Sequence, residues 1–363
     1  MSFCGSYRQG DVSFLLKRLA QPPLIDIVSK ERLIQSGARH YSEMLSPEAL
    51  PSSRYLKLFK DACAANRQQM AGDCLSLAAL IAARRHGAVT LVSLVRAGTP
   101  VGVILRHLLQ SVMGRQVVHY SLSIIRDRGI DEVALQHILE QGHAPESIVF
   151  IDGWTGKGVI SRELARATSD FNRRHGVAID SGLYVLSDLA GTAACAASAI
   201  DYLIPSGILN ATVSGLVSRS VLNESIGAGD FHGCVYYDMF EPYDLSRQFA
   251  DGMIAEGIAQ AAGAGIREAL PIDHRKLAAV STEYLLATMA QHGLSDPNLV
   301  KPGIGEATRV LLRRVPRLLI VRDADAPDVA HLKALATEKS VSLIVDPHLP
   351  YQAVSLIRSA LDG

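Results

Sequence analysis

The 363-residue chain carries 36 Lys plus Arg against 36 Asp plus Glu, with 48% hydrophobic and 20% charged residues. That balance excludes a global field recruiting nucleic acid or membrane, so any polyanion binding must come from local clusters. The five cysteines (Cys4, Cys63, Cys74, Cys195 and Cys234) form no C-x-x-C pair, which argues against a disulfide framework or structural zinc and for a reducing cytoplasm.

The N-terminal stretch lacks an apolar signal core. Residues 1–65 read as an irregular lead-in with polar turns such as "LSPEALPSSR". From Arg67 the pattern becomes regular, and "QQMAGDCLSLAALIAARRHG" has helical spacing with a glycine stop. "AVTLVSLV" predicts a buried strand, the loop "RAGTP" follows, and "VGVILRHLLQSVM" predicts a helix. "QVVHYSLSII" and "SIVFI" predict two more strands, separated by "RDRGID" and the helix "EVALQHILEQG". After the turn "DGWTGKG" comes a helix, "VISRELARATSDFNRRHG", and "GLYVLSDLAG" continues the alternation. Strands alternating with amphipathic helices predict an α/β fold over residues 66–262, a mainly parallel sheet flanked by helices.

"CAASAIDYLIPSGILNATVSGLVS" is long and nearly uncharged, but Asp201, Pro205 and two glycines interrupt it. A buried strand and loop fit it better than a membrane span. The glycine-rich "GMIAEGIAQAAGAGI" marks a boundary, and residues 263–363 repeat a strand–helix rhythm as a small second α/β domain.

The turn after Ile151 is the first candidate site. Asp152 is expected at the carboxyl end of a strand, and Gly153, Gly156 and Gly158 let backbone N–H groups converge before a helix start. Thr155 adds a hydroxyl and Lys157 a charge, a seat suited to phosphate. A triphosphate loop fails, because Ile151 stands where the first glycine should be and Gly158 replaces the Ser/Thr. The bland alternative is a tight turn that uses glycine for geometry alone.

The loop order resembles the type I phosphoribosyltransferases, in which an apolar strand leads into an acid and a Thr-Gly that grip phosphoribosyl pyrophosphate. An earlier basic-glycine loop there binds pyrophosphate, and Arg96, Ala97, Gly98 and Thr99 have that form. A mobile basic loop lies between, and Arg126 and Arg128 fall in that place. The resemblance implies a phosphoribosyltransferase making or breaking an N-ribosidic bond, with Asp152 on a ribose hydroxyl and Mg²⁺ bridging pyrophosphate oxygens. Gly153 stands where the family carries a second acid, which leaves open a non-catalytic nucleotide or phosphoribosyl sensor.

Together with "GSYRQGDVSFLLK" and "FHGCVYYD", these stretches are similar to a bacterial group labelled phosphoribosyltransferase-like or, alternatively, the cysteine protease StiP family, whose members commonly carry a C-terminal Pelota-type RNA-binding domain. A thiol hydrolase is the rival chemistry. Cys74 is expected at a helix start, where the dipole lowers a thiol's pKa, with Gln68 as oxyanion donor and His232, His119 or His86 as base. A cysteine beside Leu75, Leu77 and Leu80 is more often packing. His232 and Cys234 have no visible further metal ligands. Near the C-terminus, "VKPGIGEATRVLLRRVP" resembles the Pelota and kink-turn-binding motif, with Gly303, Glu306 and Arg309 matching, Gly305 in place of asparagine, and Lys301 alongside. RNA is the partner this resemblance implies. A capped helix with a solvated basic face is the plain alternative.

Overall fold

Val89 to Leu94 bury every residue, a pattern that suits a strand covered on both faces. In the computed structural model, which describes residues 2–20 and 23–358, this is one strand of a six-stranded sheet. The strands are β1 (Ser13–Phe14), β2 (Val89–Leu94), β3 (Val117–Leu122), β4 (Ile148–Thr155), β5 (Leu183–Asp188) and β6 (Cys195–Ser198). They lie in the order β1-β3-β2-β4-β5-β6, all parallel. The chain leaves β2 for β3 on one side, then returns past β2 to β4 on the other. That reversal creates a crevice between the carboxyl ends of β2 and β4.

Helices cover both faces: α1 (Ile27–Gln35), α2 (Ser53–Arg84), α3 (Gly98–Ser111), α4 (Glu132–Glu140), α5 (Val159–His175) and α6 (Ser246–Gly263). Leu75 and Leu77 of α2 pack with Val101 and Leu105 of α3 and Phe249 of α6. On the other face Leu135 of α4 and Leu164 and Phe171 of α5 pack against Val92 and Phe150. Each such buried side chain contributes about 1.5–3 kcal/mol. The lead-in is more ordered than expected. It supplies β1 to the sheet edge, and α2 starts at Ser53, where the Ser52 hydroxyl accepts from the Tyr55 amide at 3.2 Å.

The glycine-rich stretch expected as a boundary is mostly helical, within α6. The smaller α/β region follows with α7 (His274–His292), β7 (Val300–Pro302), α8 (Ile304–Arg313), β8 (Pro316–Val321), α9 (Ala330–Glu338), β9 (Ser342–Val345) and β10 (Ala353–Ile357). Its sheet order is β7-β10-β8-β9, with β10 antiparallel to β7 and β8.

The two parts are joined by polar contacts, most of them partly buried. Asp201, which interrupts the apolar stretch, accepts from the Ile304 amide at 3.0 Å and the Gln352 amide at 2.8 Å. It caps the start of α8 from the other domain. Burial raises its carboxyl to about 6. Arg314 pairs with Glu31, and Lys157 donates to the Pro297 carbonyl. Among the described residues no helix is long and apolar enough to cross a membrane. The stretch after Cys195 is a short strand followed by loop, as its composition suggested.

Candidate functional site

The crevice between β2 and β4 opens into two adjoining chambers. The inner one, about 220 Å³, is lined by Leu94–Ala97, Asp152, Trp154, Ser206, Asn210, Arg219 and Ser220, with Arg309 and Arg313 from α8. The outer one, about 470 Å³, adds Lys30, Arg126, Lys157, Lys301, Glu306 and Arg314. Both share Tyr41, Asp152, Trp154, Arg219, Arg309 and Arg313. The second domain is therefore a wall of the first domain's cleft.

The glycine turn is built differently from its expected form. β4 runs on through Asp152, Gly153, Trp154 and Thr155, pairing Asp152 with Val185, Trp154 with Ser187 and Thr155 with Asp188. Backbone groups meant to converge on a phosphate are therefore spent partly on the sheet ladder. The Thr155 hydroxyl donates to Asp188 at 2.5 Å and accepts from the Ala190 amide at 3.1 Å. Only Gly156 to Gly158 remain as turn. Gly158 has φ +70°, and a Cβ there would meet Thr192 Cγ2 at 2.4 Å.

Asp152 does line both chambers. Burial raises its carboxyl to about 6 against the pull of Arg309. Burial and nearby Lys301 lower the Lys157 ammonium to about 7. Burial lowers Lys30 to about 7 as well, with Arg219 adding to the effect.

The earlier loop also lies at the crevice, but its groups are committed. Arg96 pairs with Glu48 at 2.6 Å and also donates to the Val217 carbonyl and to Asn210. The Ala97 side chain helps line the inner chamber. A Cβ on Gly98 would meet the Ile151 carbonyl at 2.3 Å, so glycine serves the packing of α3 on β4. The Thr99 hydroxyl is buried on Ser121 at 2.8 Å. Arg126 and Arg128 sit on a small hairpin, Ile124–Ile125 with Gly129–Ile130. Arg126 lies over Tyr41 at the outer chamber, whereas Arg128 pairs with Glu43 and is absent from both linings.

On the second domain, Lys301, Glu306 and Arg309 face the cleft. Arg309 holds Glu306 at 2.6 Å and stacks over the Trp154 ring at 4.5 Å. Burial acts to raise Glu306, but Arg309, Lys301 and Lys157 outweigh it and hold the carboxyl low. Gly303 has φ +87° and packs on Leu189. Gly305 lies under the indole, where a Cβ would meet Trp154 Cε2 at 2.4 Å. The glycine that replaces asparagine in the motif thus has a packing cause. The helix start expected to suit phosphate is instead met by Asp201.

Cys74 is not at a helix start: it lies deep inside α2, fully buried, and burial raises its thiol well above the usual range, with Asp73 adding to the effect. Among the described residues no histidine hydrogen-bonds it. His119 bonds Ser93 at 2.7 Å, His232 bonds Ser123 at 2.7 Å, and His86 is exposed. Nor do the described residues contain a cluster of three or more His, Cys, Asp or Glu placed to hold a metal. In the inner chamber Asp152 is the one carboxylate, so a Mg²⁺ ion there would have a single anionic protein oxygen and keep several of its waters.

Sequence reading missed Trp154, Arg219, Asn210, Ser206 and Ser220. Trp154 is the chain's single tryptophan, placed inside a glycine-rich turn, which is a usable signal. The others come from a loop whose course only the fold reveals.

An α/β unit whose cleft is walled by a second, smaller α/β domain is the class that this geometry defines. Residues 5–254 match the family described as tellurite-like stress resistance cysteine protease StiP, and residues 279–359 match the PELOTA RNA binding domain. The chain belongs to the StiP family. It is 42% identical over 378 residues to the cysteine protease StiP of Acinetobacter baylyi (strain ATCC 33305 / BD413 / ADP1), covering 99% of this chain and 96% of that protein. An amino transferase structure from Eubacterium rectale aligns over 93% of this chain and 83% of its own at 9% identity, with a TM-score of 0.23 that carries no argument.

These matches correct the phosphoribosyltransferase expectation, since family and relative are both named as cysteine proteases. The committed Thr155 hydroxyl, the extended β4 and the paired Arg96 are the physical side of that correction. No comparison supports phosphoribosyl pyrophosphate as partner.

Proposed function

We propose that the protein is a hydrolase of the StiP kind that engages RNA at the mouth of its inter-domain cleft. The observation that carries the RNA part is that Lys301, Glu306 and Arg309 of the Pelota segment face Lys157 and Arg126 across one chamber. That chamber is lined by eight Lys or Arg side chains (Lys30, Arg126, Lys157, Arg219, Lys301, Arg309, Arg313, Arg314) against three carboxylates (Asp152, Asp296, Glu306). Such local excess suits phosphates in a chain of zero net charge. Glu306 accepts from a base amino group, and Arg309 meets a phosphate or stacks on a base. Retention of a labelled oligoribonucleotide by the full chain is the test. Glu306→Ala with Arg309→Ala is expected to weaken it by about tenfold and to flatten its salt dependence. Unchanged retention removes the RNA reading.

The hydrolase part rests on the near full-length relationship to a protein named as a cysteine protease. Cys74 was the nucleophile suggested by sequence, and its burial makes it a poor thiolate in this conformation. Cys4 and Cys63 are the half-buried thiols, and burial pushes Cys63 up to about 12. The five Cys→Ala variants, assayed on unfolded casein with and without an alkylating reagent, identify the thiol. A thiol hydrolase loses cleavage on alkylation and in one variant; cleavage that survives alkylation and all five changes ends this reading.

A further inference from the structure

Residues that line the inner chamber carry polar atoms without partners. The indole N–H of Trp154, Nε of Arg313, and the hydroxyls of Ser206 and Ser220 are buried without a hydrogen-bond partner. All four residues line this one chamber. Trp154, Ser206 and Ser220 are 9%, 8% and 6% exposed. An indole or guanidinium N–H can only donate, so whatever fills the space must bring acceptors.

Charge points the same way. Four arginines and one carboxylate line the chamber. Arg96 has Glu48, and Arg309 has Glu306. Arg219 donates to the Tyr41 and Met44 carbonyls, and Arg313 to the Asn210 side chain, all of them neutral oxygens. Neither Arg219 nor Arg313 has an ion pair of its own: the Glu48 carboxylate acts on both but is held by Arg96, and burial lowers both groups. A dianion with several acceptor oxygens suits this arrangement better than a carboxylate, which brings one charge. The remaining lining includes Leu94, Pro100, Ile124 and Leu209, room for an apolar or ring body behind the anion.

We propose that the inner chamber binds a phosphate monoester group, held between Trp154, Ser206, Ser220 and Arg219 of the first domain and Arg313 of the second. The group can come from a small phosphate ester or from the 5′-phosphate of an RNA end entering through the outer chamber. Both present the same chemistry, and neither requires the hydrolase reading.

The full chain is titrated calorimetrically with phenyl phosphate, with benzoate as carboxylate control. Further arms use short oligoribonucleotides bearing a 5′-phosphate or a 5′-hydroxyl. Saturable phenyl phosphate binding, about tenfold tighter than benzoate and weakened about tenfold by Arg313→Gln, is expected. Trp154→Phe removes the N–H donor and keeps an aromatic side chain, so weaker binding is expected there too, with a small fall in melting temperature from the space the smaller ring leaves. Ser220→Ala replaces either variant should it fail to fold. Preference for the 5′-phosphorylated strand assigns the site to an RNA end; indifference to that phosphate, with phenyl phosphate still bound, assigns it to a small ester. No saturable binding of either phosphate probe, equal affinity for benzoate, or undiminished binding in folded variants overturns the proposal.

Discussion

Asp152 lies where the two chambers adjoin, and burial there competes with Arg309 over its charge. Its place at the crevice was legible from an apolar run meeting a lone acid, and it does line the cleft. Its surroundings were not legible, because Arg309 and Glu306 lie over 150 positions away in sequence. Its carboxyl, raised by burial from 3.8 to about 6, binds a proton more tightly when folded than unfolded. The stabilisation this gives is complete below about pH 4 and lost as pH rises through about 6. Asp152→Asn is therefore expected to raise the melting temperature at pH 7.5 and to leave it nearly unchanged at pH 4, read by thermal scans at both. Lys157 and Lys30 act in the opposite direction: lowered to about 7, they contribute stability at high pH that is lost as pH falls through 7.

At the scale of single elements, hydrophobic pattern placed the strands well and their ends poorly. The apolar run stops at Ile151, yet β4 continues to Thr155 because β5 offers Ser187 and Asp188 as partners, and pairing is invisible in one strand's composition. The helix containing Cys74 was read from Gln68 onward, while its true start lies fifteen residues earlier at a serine cap that resembles a polar turn. Glycines divide in the same way. Gly158 and Gly176 both have positive φ, at +70° and +65°, but only Gly158 is crowded. Alanine at Gly176 is expected to cost about 1 kcal/mol, from backbone conformation alone. At Gly158 the clash with Thr192 should bring the cost to about 2–4 kcal/mol. Urea denaturation of the two variants measures the difference.

For the whole molecule, sequence showed two α/β parts and gave no sign of how they meet. The joining contacts, Asp201 to Ile304 and Trp154 to Arg309, span more than a hundred residues and leave no periodic trace. Gly305→Asn would restore the residue usual in the RNA-binding motif, yet it drives a side chain into the indole. It should lower the melting temperature by several degrees, about 1–3 kcal/mol of overpacking, and open the cleft to proteases; a variant as stable as the parent contradicts this packing. The shared tryptophan also bears on ancestry and engineering. Neither half can be exchanged for a homologue's without matching the partner's surface, because the larger recess takes ten of its lining residues from the second domain and the rest from the first. A chain cut short before residue 279 would be no smaller edition of this protein. It would present a basin with one wall missing, stripped of Arg309 and Arg313.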